Sequence, residues 1–262
     1  MHTTKLKLAA LQAMPPFIRR KIMSRRFRNE VENTGEAEMA TLGQFIKPGD
    51  LALDIGANLG GYTYEMARLC GRVIAFEPNP ALFDTLKGLH FKGADIRGCA
   101  IGDKTGEAIL HLPDGQRHVL ASLCPDVVAD YPTKPVKVAV FRLDDIALPP
   151  VSFIKIDVEG FEEAVLQGGQ ETIRRDLPTI LVEIEERHNA GGLARIEASL
   201  AELGYSGHFL LNEEWQPLSD FHPGLQNVEI LSATHTTRRG LRYINNFLFV
   251  HGDHPTNPTM KV

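Results

Sequence analysis

The sequence predicts an α/β fold built on a mostly parallel sheet with helices on both faces. Three observations carry this. Apolar runs of strand length alternate with helical stretches from residue 51 to 211, as strands buried on both sides require. A glycine-rich turn, Gly56-Ala57-Asn58-Leu59-Gly60-Gly61, follows the first run. An acid, Glu77, ends the second run 23 residues after Asp54.

Taken in order, residues 1–35 form a basic arm, helical in places and broken at Pro15-Pro16. Within the stretch 35–46, a short amphipathic helix ends at the turn Lys47-Pro48-Gly49-Asp50. LALDIG (51–56) is the first strand, and Tyr62–Cys70 the helix after its turn. RVIAF (72–76) is the second strand, stopped by Glu77-Pro78-Asn79-Pro80. Residues 81–90 are helical, and DIRGCAI (95–101) is a third strand. Residues 107–142 break the rhythm with hairpin-like and loop sequence. VSFIKIDV (151–158) and TILVEIE (179–185) are further strands, with helices over Phe161–Arg175 and 192–203. YSGHFLL (205–211) and YINNFLFV (243–250) close the fold. The polar stretch between them has no obvious helical crossover, so one of the two is expected to run antiparallel. One domain over 36–252 results, with an insertion at 107–142 and a tail at 253–262.

Length and composition agree with this. A chain of 262 residues can bury a large core, and 43% hydrophobic with 23% charged residues argues against general disorder. The net charge of −5 conceals a split. Residues 1–28 hold eight basic side chains (Lys5, Lys7, Arg19, Arg20, Lys21, Arg25, Arg26, Arg28) and no acid, which leaves 20 basic against 33 acidic in the body. Such a body argues against a broad nucleic-acid face. The arm reads either as a solvated tail or as a contact for an anionic membrane surface or glycan through residues 17–28. In the second reading Phe17, Ile18, Ile22 and Phe27 are its apolar partners. Cys70, Cys99 and Cys124 show neither zinc spacing nor a disulfide framework, which points to a reducing cytoplasm. Cys70 and Cys99 read as buried, Cys124 as exposed. No apolar run is long enough to span a membrane, and no secretory signal is visible.

The turn at 54–61 suits a nucleotide cofactor. Glycines there allow close approach to the backbone, and the acid at Glu77 is placed for ribose hydroxyls. Gly56, Asn58 and Gly61 fit a dinucleotide fingerprint with one substitution. Asp54, Gly56, Asn58 and Gly60 fit an acidic-x-Gly-x-Gly-x-Gly pattern, in which Asn58 supplies a left-handed residue. A carboxylate at Asp54 would repel a pyrophosphate but suit an amino group and a sulfonium, which favours S-adenosylmethionine.

Two further strand ends carry carboxylates. Lys155, Asp157 and Glu159 alternate along the fourth strand, and Glu183 and Glu185 along the fifth, with His188 following. In open parallel sheets ligands bind beyond these ends. Asp157, Glu159 and His188 are the candidate catalytic residues, acting on an acceptor hydroxyl. Asp157 and Glu183 are candidate ligands for Mg²⁺. Glu162, Glu163 and Glu186 read as capping and ion-pairing residues.

Together LALDIGANLGGYTYEMARLCGRVIAFEPNPALFDTL, GCAIGDKTGEAIL, FIKIDVEGFEEAVLQG, TILVEIE and NNFLFV resemble the FkbM-type methyltransferases over roughly residues 36–250. The resemblance implies a Rossmann-like class I methyltransferase fold, with a mostly parallel seven-stranded sheet and an antiparallel last strand. It also implies S-adenosylmethionine-dependent O-methylation of sugar, glycan or polyketide-type hydroxyls. It would place Asp54, Gly56, Asn58 and Gly60 on the methionine side, with Ala57 of the same turn at the cofactor, and Glu77 at the ribose. Pro78 and Asn79 would flank the adenine, with Asp103 near its edge. Asp157 and Glu159 match a signature pair. The acceptor pocket is expected from 107–142, with His111, Arg117, His118, Ser122 and Tyr131 as polar candidates. The rival readings are a nicotinamide-dependent oxidoreductase, a non-catalytic glycan-binding protein and a nucleic-acid methyltransferase. Against the last, this sequence has no Asn-Pro-Pro-aromatic type base-flipping motif.

Overall fold

Strands buried on both faces must be apolar on both, and this chain builds a sheet of that kind. The computed structural model describes residues 14–34, 36–113, 121–227 and 243–253. In chain order the strands are β1 (Ala52–Ile55), β2 (Val73–Phe76), β3 (Ala94–Arg97), β4 (Ala100–Ile101), β5 (Gly106–Pro113) and β6 (Thr133–Phe141). They continue as β7 (Phe153–Ile156), β8 (Thr179–Glu183), β9 (Tyr205–Leu211), β10 (Glu214–Pro217) and β11 (Asn246–His251). The helices are α1 (Pro16–Asn29), α2 (Ala37–Thr41), α3 (Gly61–Cys70), α4 (Pro80–Lys87), α5 (Glu162–Gly168), α6 (Gln170–Asp176) and α7 (Gly192–Ala201).

The large sheet has the order β10-β9-β11-β8-β7-β1-β2-β3. Strands β3, β2, β1, β7 and β8 pair in parallel, and β11 lies antiparallel between β8 and β9. These seven strands match the expected sheet, including the reversed last one. An eighth, β10, adds antiparallel to the edge at β9. Glu214–Pro217 carries no apolar alternation, so only its pairing with β9 makes it a strand.

The sheet divides the core. Leu53, Ile55, Ile154, Ile156, Ile180, Val182, Phe247 and Phe249 face one side, with Val165, Ile173, Leu193, Ile196 and Leu200 from α5, α6 and α7. Ala52, Val73, Ala75, Phe153, Leu181 and Leu248 face the other, under Met66 of α3 and Leu42, Phe45 and Ile46. Alternate residues of one strand thus enter different cores, which is the period-2 geometry of a strand read directly.

Two expected elements come out differently, the strand DIRGCAI and the helix Phe161–Arg175, while the insertion keeps its hairpin-like character. DIRGCAI is not one strand: β3 stays in the large sheet, while Ala100 and Ile101 pair with Val140 and Phe141 in a second sheet, β4-β6-β5. Gly98 at the break packs on the Phe83 ring. The insertion is a long hairpin, paired from Gly106↔Val140 to Pro113↔Thr133. The helix expected over Phe161–Arg175 is two, α5 and α6, parted at Gly169. Gly168 there presses on the chain after β4, since a Cβ on it would lie 1.9 Å from the Gly102 carbonyl oxygen.

The arm is not a bare tail over its described part. Pro16 opens α1, a position where its missing N–H costs nothing. Met23 and Phe27 are fully buried against Leu89, Tyr64 and Phe91. Phe27 stacks on Tyr64 and Phe91 at 5.4 and 5.7 Å between ring centres. The expectation that Phe27 serves an external surface is therefore corrected. Lys5, Lys7 and nearly all of the 253–262 tail lie outside the described residues.

Gly168→Ala should strain the contact with Gly102 and cost about 1–3 kcal/mol, lowering the unfolding midpoint by several degrees. Gly106→Ala, where the added Cβ meets nothing within 4 Å, should leave it unchanged. Thermal denaturation of the two variants checks the pair, and equal midpoints would contradict the packing described.

Candidate functional site

At the end of β1 the chain must turn without a side chain. Gly56 has φ +88°, and a Cβ on it would sit 1.8 Å from the Asp157 carbonyl oxygen. Only glycine lets the β1 turn lie this close to the end of β7. Asn58 follows at φ +50°, the left-handed conformation expected of it. Gly60 at φ +89° leads into α3 and packs beneath Leu86 and Phe91.

Glu77 holds this turn from the neighbouring strand. Its Oε2 accepts the Asn58 N–H at 2.7 Å and its Oε1 accepts the Asn79 N–H at 2.8 Å. It is buried, and burial pushes its carboxyl up to about 8 against those two bonds. Asp54, also buried, accepts the Thr63 hydroxyl at 2.5 Å. Burial raises it to about 6, while Thr63 and the Lys155 ammonium pull the other way.

A cleft of about 600 Å³, open to solvent, runs beside this turn. Its lining includes Gly56, Asn58, Glu77 and Pro78, with Cys99, Ala100 and Ile101. Asp157, Val158 and Glu159 line it as well, together with Phe161, Leu110, Ala121 and Leu123. The insertion therefore does contribute to the cleft, but through apolar side chains. Ser122, one of the five expected polar residues, does something else: it is buried, and its hydroxyl donates to the Glu159 carbonyl at 2.6 Å and accepts the Cys124 N–H at 2.9 Å. His111 pairs with Ser122 through the backbone. Tyr131 is not among the cleft-lining residues, and Arg117 and His118 lie outside the described residues.

The strand-end acids do not stay in register. The β7 ladder reaches Asp157, whose N–H bonds the Ile55 carbonyl at 2.9 Å. Glu159 then turns left-handed at φ +48°, followed by Gly160 at φ +89°. Alternation thus fails after Asp157, and a turn pinned by Ser122 aims Glu159 instead. His188 Nδ1 lies 2.9 Å from Glu159 Oε2, off the line of an ideal hydrogen bond. Burial raises the Glu159 carboxyl, and His188 beside it counteracts this. His188 itself does not line the cleft and reaches it through Glu159.

Other expected site residues are placed elsewhere. Asp103 stands outside the cleft, with Lys104 Nζ 3.7 Å from its carboxylate. Asn79 is buried and caps α4 by accepting the Ala81 N–H at 3.1 Å. Ala57 is buried under the turn rather than in the cleft. Glu183 accepts the Asn245 amide at 2.6 Å and stands 4.0 Å from Lys155 Nζ. Among the described residues no three His, Cys, Asp or Glu side chains converge as metal ligands, and the expected pair Asp157 and Glu183 has the Lys155 ammonium as a neighbouring cation. Glu185 is spent on Arg187 at 2.8 Å and on the Tyr243 hydroxyl. Glu163 binds Arg195, and Glu186 accepts the N–H groups of Gly191 and Leu193 at the start of α7, as expected of both.

Lys155 was legible only as one of three alternating polar residues. It is fully buried in β7, donates to Asn246 Oδ1 at 3.1 Å and lies 5.0 Å from the Tyr62 ring centre. Glu36 accepts both the Tyr62 hydroxyl at 2.6 Å and the Asn246 amide at 3.1 Å. Burial works against the Lys155 charge, but Asp157, Glu183, Glu36 and Asp54 outweigh it and raise its pKa. Asn246 had one signal in the sequence, an amide opening an otherwise apolar strand.

These shifts set a pH dependence. Asp54 rises from 3.8 to about 6, Glu162 from 4.5 to about 7 and Glu77 from 4.5 to about 8, each chiefly through burial. Each group binds its proton more tightly when folded. Its stabilising share is complete below its ordinary value and is lost as pH climbs through the folded one. The thermal midpoint of the protein should therefore fall between about pH 5 and pH 8. A flat or rising midpoint in calorimetry across that window would contradict the burial described.

The comparisons with known proteins bear on the same residues. The chain is 27% identical over 196 residues to the 31-O-demethyl-FK506 methyltransferase FkbM of Streptomyces tacrolimicus, covering 62% of this chain and 74% of that one. It is 28% identical over 185 residues to Methyltransferase 1 of Beauveria bassiana, covering 59% and 71%. A crystal structure of Methyltransferase FkbM from Methylobacillus flagellatus shares the fold at a TM-score of 0.50 and 19% identity. That match takes in 77% of this chain and less than half, 43%, of the other. The family model for the Methyltransferase FkbM domain matches residues 54–206, from the carboxylate that opens the turn to the start of β9. That span is more than half of the chain, and the protein belongs to the FkbM methyltransferase family.

Proposed function

We propose that this chain transfers a methyl group from S-adenosylmethionine to a hydroxyl oxygen of a sugar, glycan or polyketide-type acceptor. The observation that carries the reading is that Gly56 and Glu77 share one cleft with Asp157 and Glu159. The cofactor would supply an electrophilic methyl on a sulfonium. The residues present suit it: a turn with no room for a Cβ at Gly56, a strand-end carboxylate at Glu77 for ribose hydroxyls, and acidic walls for a cation. The name of the Streptomyces relative specifies an O-demethyl acceptor, which supports oxygen as the nucleophile.

In this reading Asp157 takes the proton of the acceptor hydroxyl as the oxygen–methyl bond forms and the methyl–sulfur bond breaks. Glu159, held by His188 and by the turn that Ser122 pins, accepts a hydrogen bond from the acceptor and orients it. Much of the rate then comes from alignment, which is worth about 7–11 kcal/mol when two reactants are held in attack geometry. Leu110, Ala121, Leu123 and Phe161 exclude water from one side of the cleft and offer an apolar wall to a ring or chain.

Asp157→Asn should lower turnover by about 10²–10⁴-fold, the range for a positioned general base. It should leave S-adenosylhomocysteine affinity within a few-fold of the parent, measured by calorimetry. Unchanged turnover would remove Asp157 from the role. Glu77→Ala should instead weaken S-adenosylhomocysteine binding by about 10–100-fold, through loss of the hydrogen bonds it makes to the turn and would make to the ribose. NAD should give no binding heat with the parent protein. Binding of NAD in preference to S-adenosylhomocysteine would replace this reading with an oxidoreductase.

A further inference from the structure

We propose that the outward face of α1 docks the protein on an anionic lipid surface. The helix has two faces with separate partners. At about 100° per residue, Met23 and Phe27 fall on one side, and this side is buried against Leu89, Tyr64 and Phe91. The opposite side carries Phe17, Lys21, Arg25 and Arg28 with Ile18 and Ile22. All six are exposed.

The exposed apolar residues are large. Phe17 is 69% exposed, Ile22 43% and Ile18 38%, and they are three of the five large hydrophobics exposed among the described residues. No acid lies between Met14 and Asn29, and Arg20 extends the positive charge around the helix, while Arg26 pairs with Glu30 at 2.7 Å. Aromatic and branched apolar side chains set among lysine and arginine fit a bilayer interface, where the apolar groups enter the acyl boundary and the cations meet headgroup phosphates. A soluble polyanion would satisfy the cations but leave Phe17, Ile18 and Ile22 in water. A bilayer satisfies both.

The docked face is tied to the cleft. Phe27 packs on Phe91, and Phe91 in turn packs against Gly60 of the cofactor turn. The turn after α1 brings Glu30 against Gly61 at the start of α3. The helix is thus seated directly on the element that leads out of the cofactor turn, so a surface bound by α1 would orient the domain as a whole.

The test is co-sedimentation of the full chain with phosphatidylcholine vesicles, with and without about one-third phosphatidylglycerol. Binding to the mixed vesicles should be at least about tenfold stronger, and should fall at about 0.5 M salt. The double variant Phe17→Ser, Ile22→Ser and the double variant Lys21→Glu, Arg25→Glu should each lose most of it. Both should keep the parent's thermal midpoint and S-adenosylhomocysteine affinity, which makes the result independent of the methyl-transfer reading. Equal binding to neutral and mixed vesicles, or variants that bind like the parent, would overturn the proposal. So would a dimer in light scattering that the Phe17→Ser, Ile22→Ser variant dissociates, because the face would then belong to a second copy of the chain.

Discussion

The site depends on how closely β1 and β7 end beside one another. Their parallel register runs Ala52↔Phe153 to Ile55↔Ile156, and the next step places Gly56 against the Asp157 carbonyl. That approach leaves no room for even a methyl group. It sets the glycine turn directly beside the carboxylates of Asp157 and Glu159, so one cleft holds both. The turn is fixed from its other side by Glu77, whose two oxygens each take a backbone N–H. The glycine turn is thus clamped from the two strands that flank β1, neither of which could hold it alone.

That arrangement concentrates negative charge in a buried place. Asp54, Glu77, Glu159 and Glu183 are all pushed up by burial. A fold that kept such a cluster with no counter-charge would be costly. Lys155 provides one from inside the sheet, held by Asn246 and facing Glu183 and the Tyr62 ring. The remaining imbalance is of the sign a sulfonium and an amino group would relieve. The same charges that weigh on stability would serve recognition in the proposed function, a common compromise at functional sites.

The turn, its closing acid and the parallel run of the strands were legible because each rests on local rules. Asn58 reads as left-handed from its residue type, and Glu77 from its distance to Asp54. The capping role of Glu186 follows equally from position. Asp103 and Asn79, expected beside the adenine, do not line the cleft, since resemblance transfers a position but not the direction of its side chain. Asn79 closes α4, and Asp103 faces outward beside Lys104. His111, Ser122 and Tyr131 looked like acceptor contacts because polar loop residues usually do. The hairpin instead turns its apolar Leu110 into the cleft and spends Ser122 on the Glu159 turn.

Sequence alone determined the fold class, the family and the identity of the carboxylates, because periodicity and short motifs encode what neighbouring residues do. Only the tertiary structure decided which of those carboxylates share a cleft. Lys155 and Asn246 are 91 residues apart and Tyr62 and Glu36 are 26 apart, and no local pattern announces that they meet. The arm shows the same division. Its charge was plain from composition, but only packing of Met23 and Phe27 on Tyr64 and Phe91 separated a buried face from an exposed one. Long-range contact chooses among the surfaces a sequence offers, because burial is a property of the neighbours as much as of the residue.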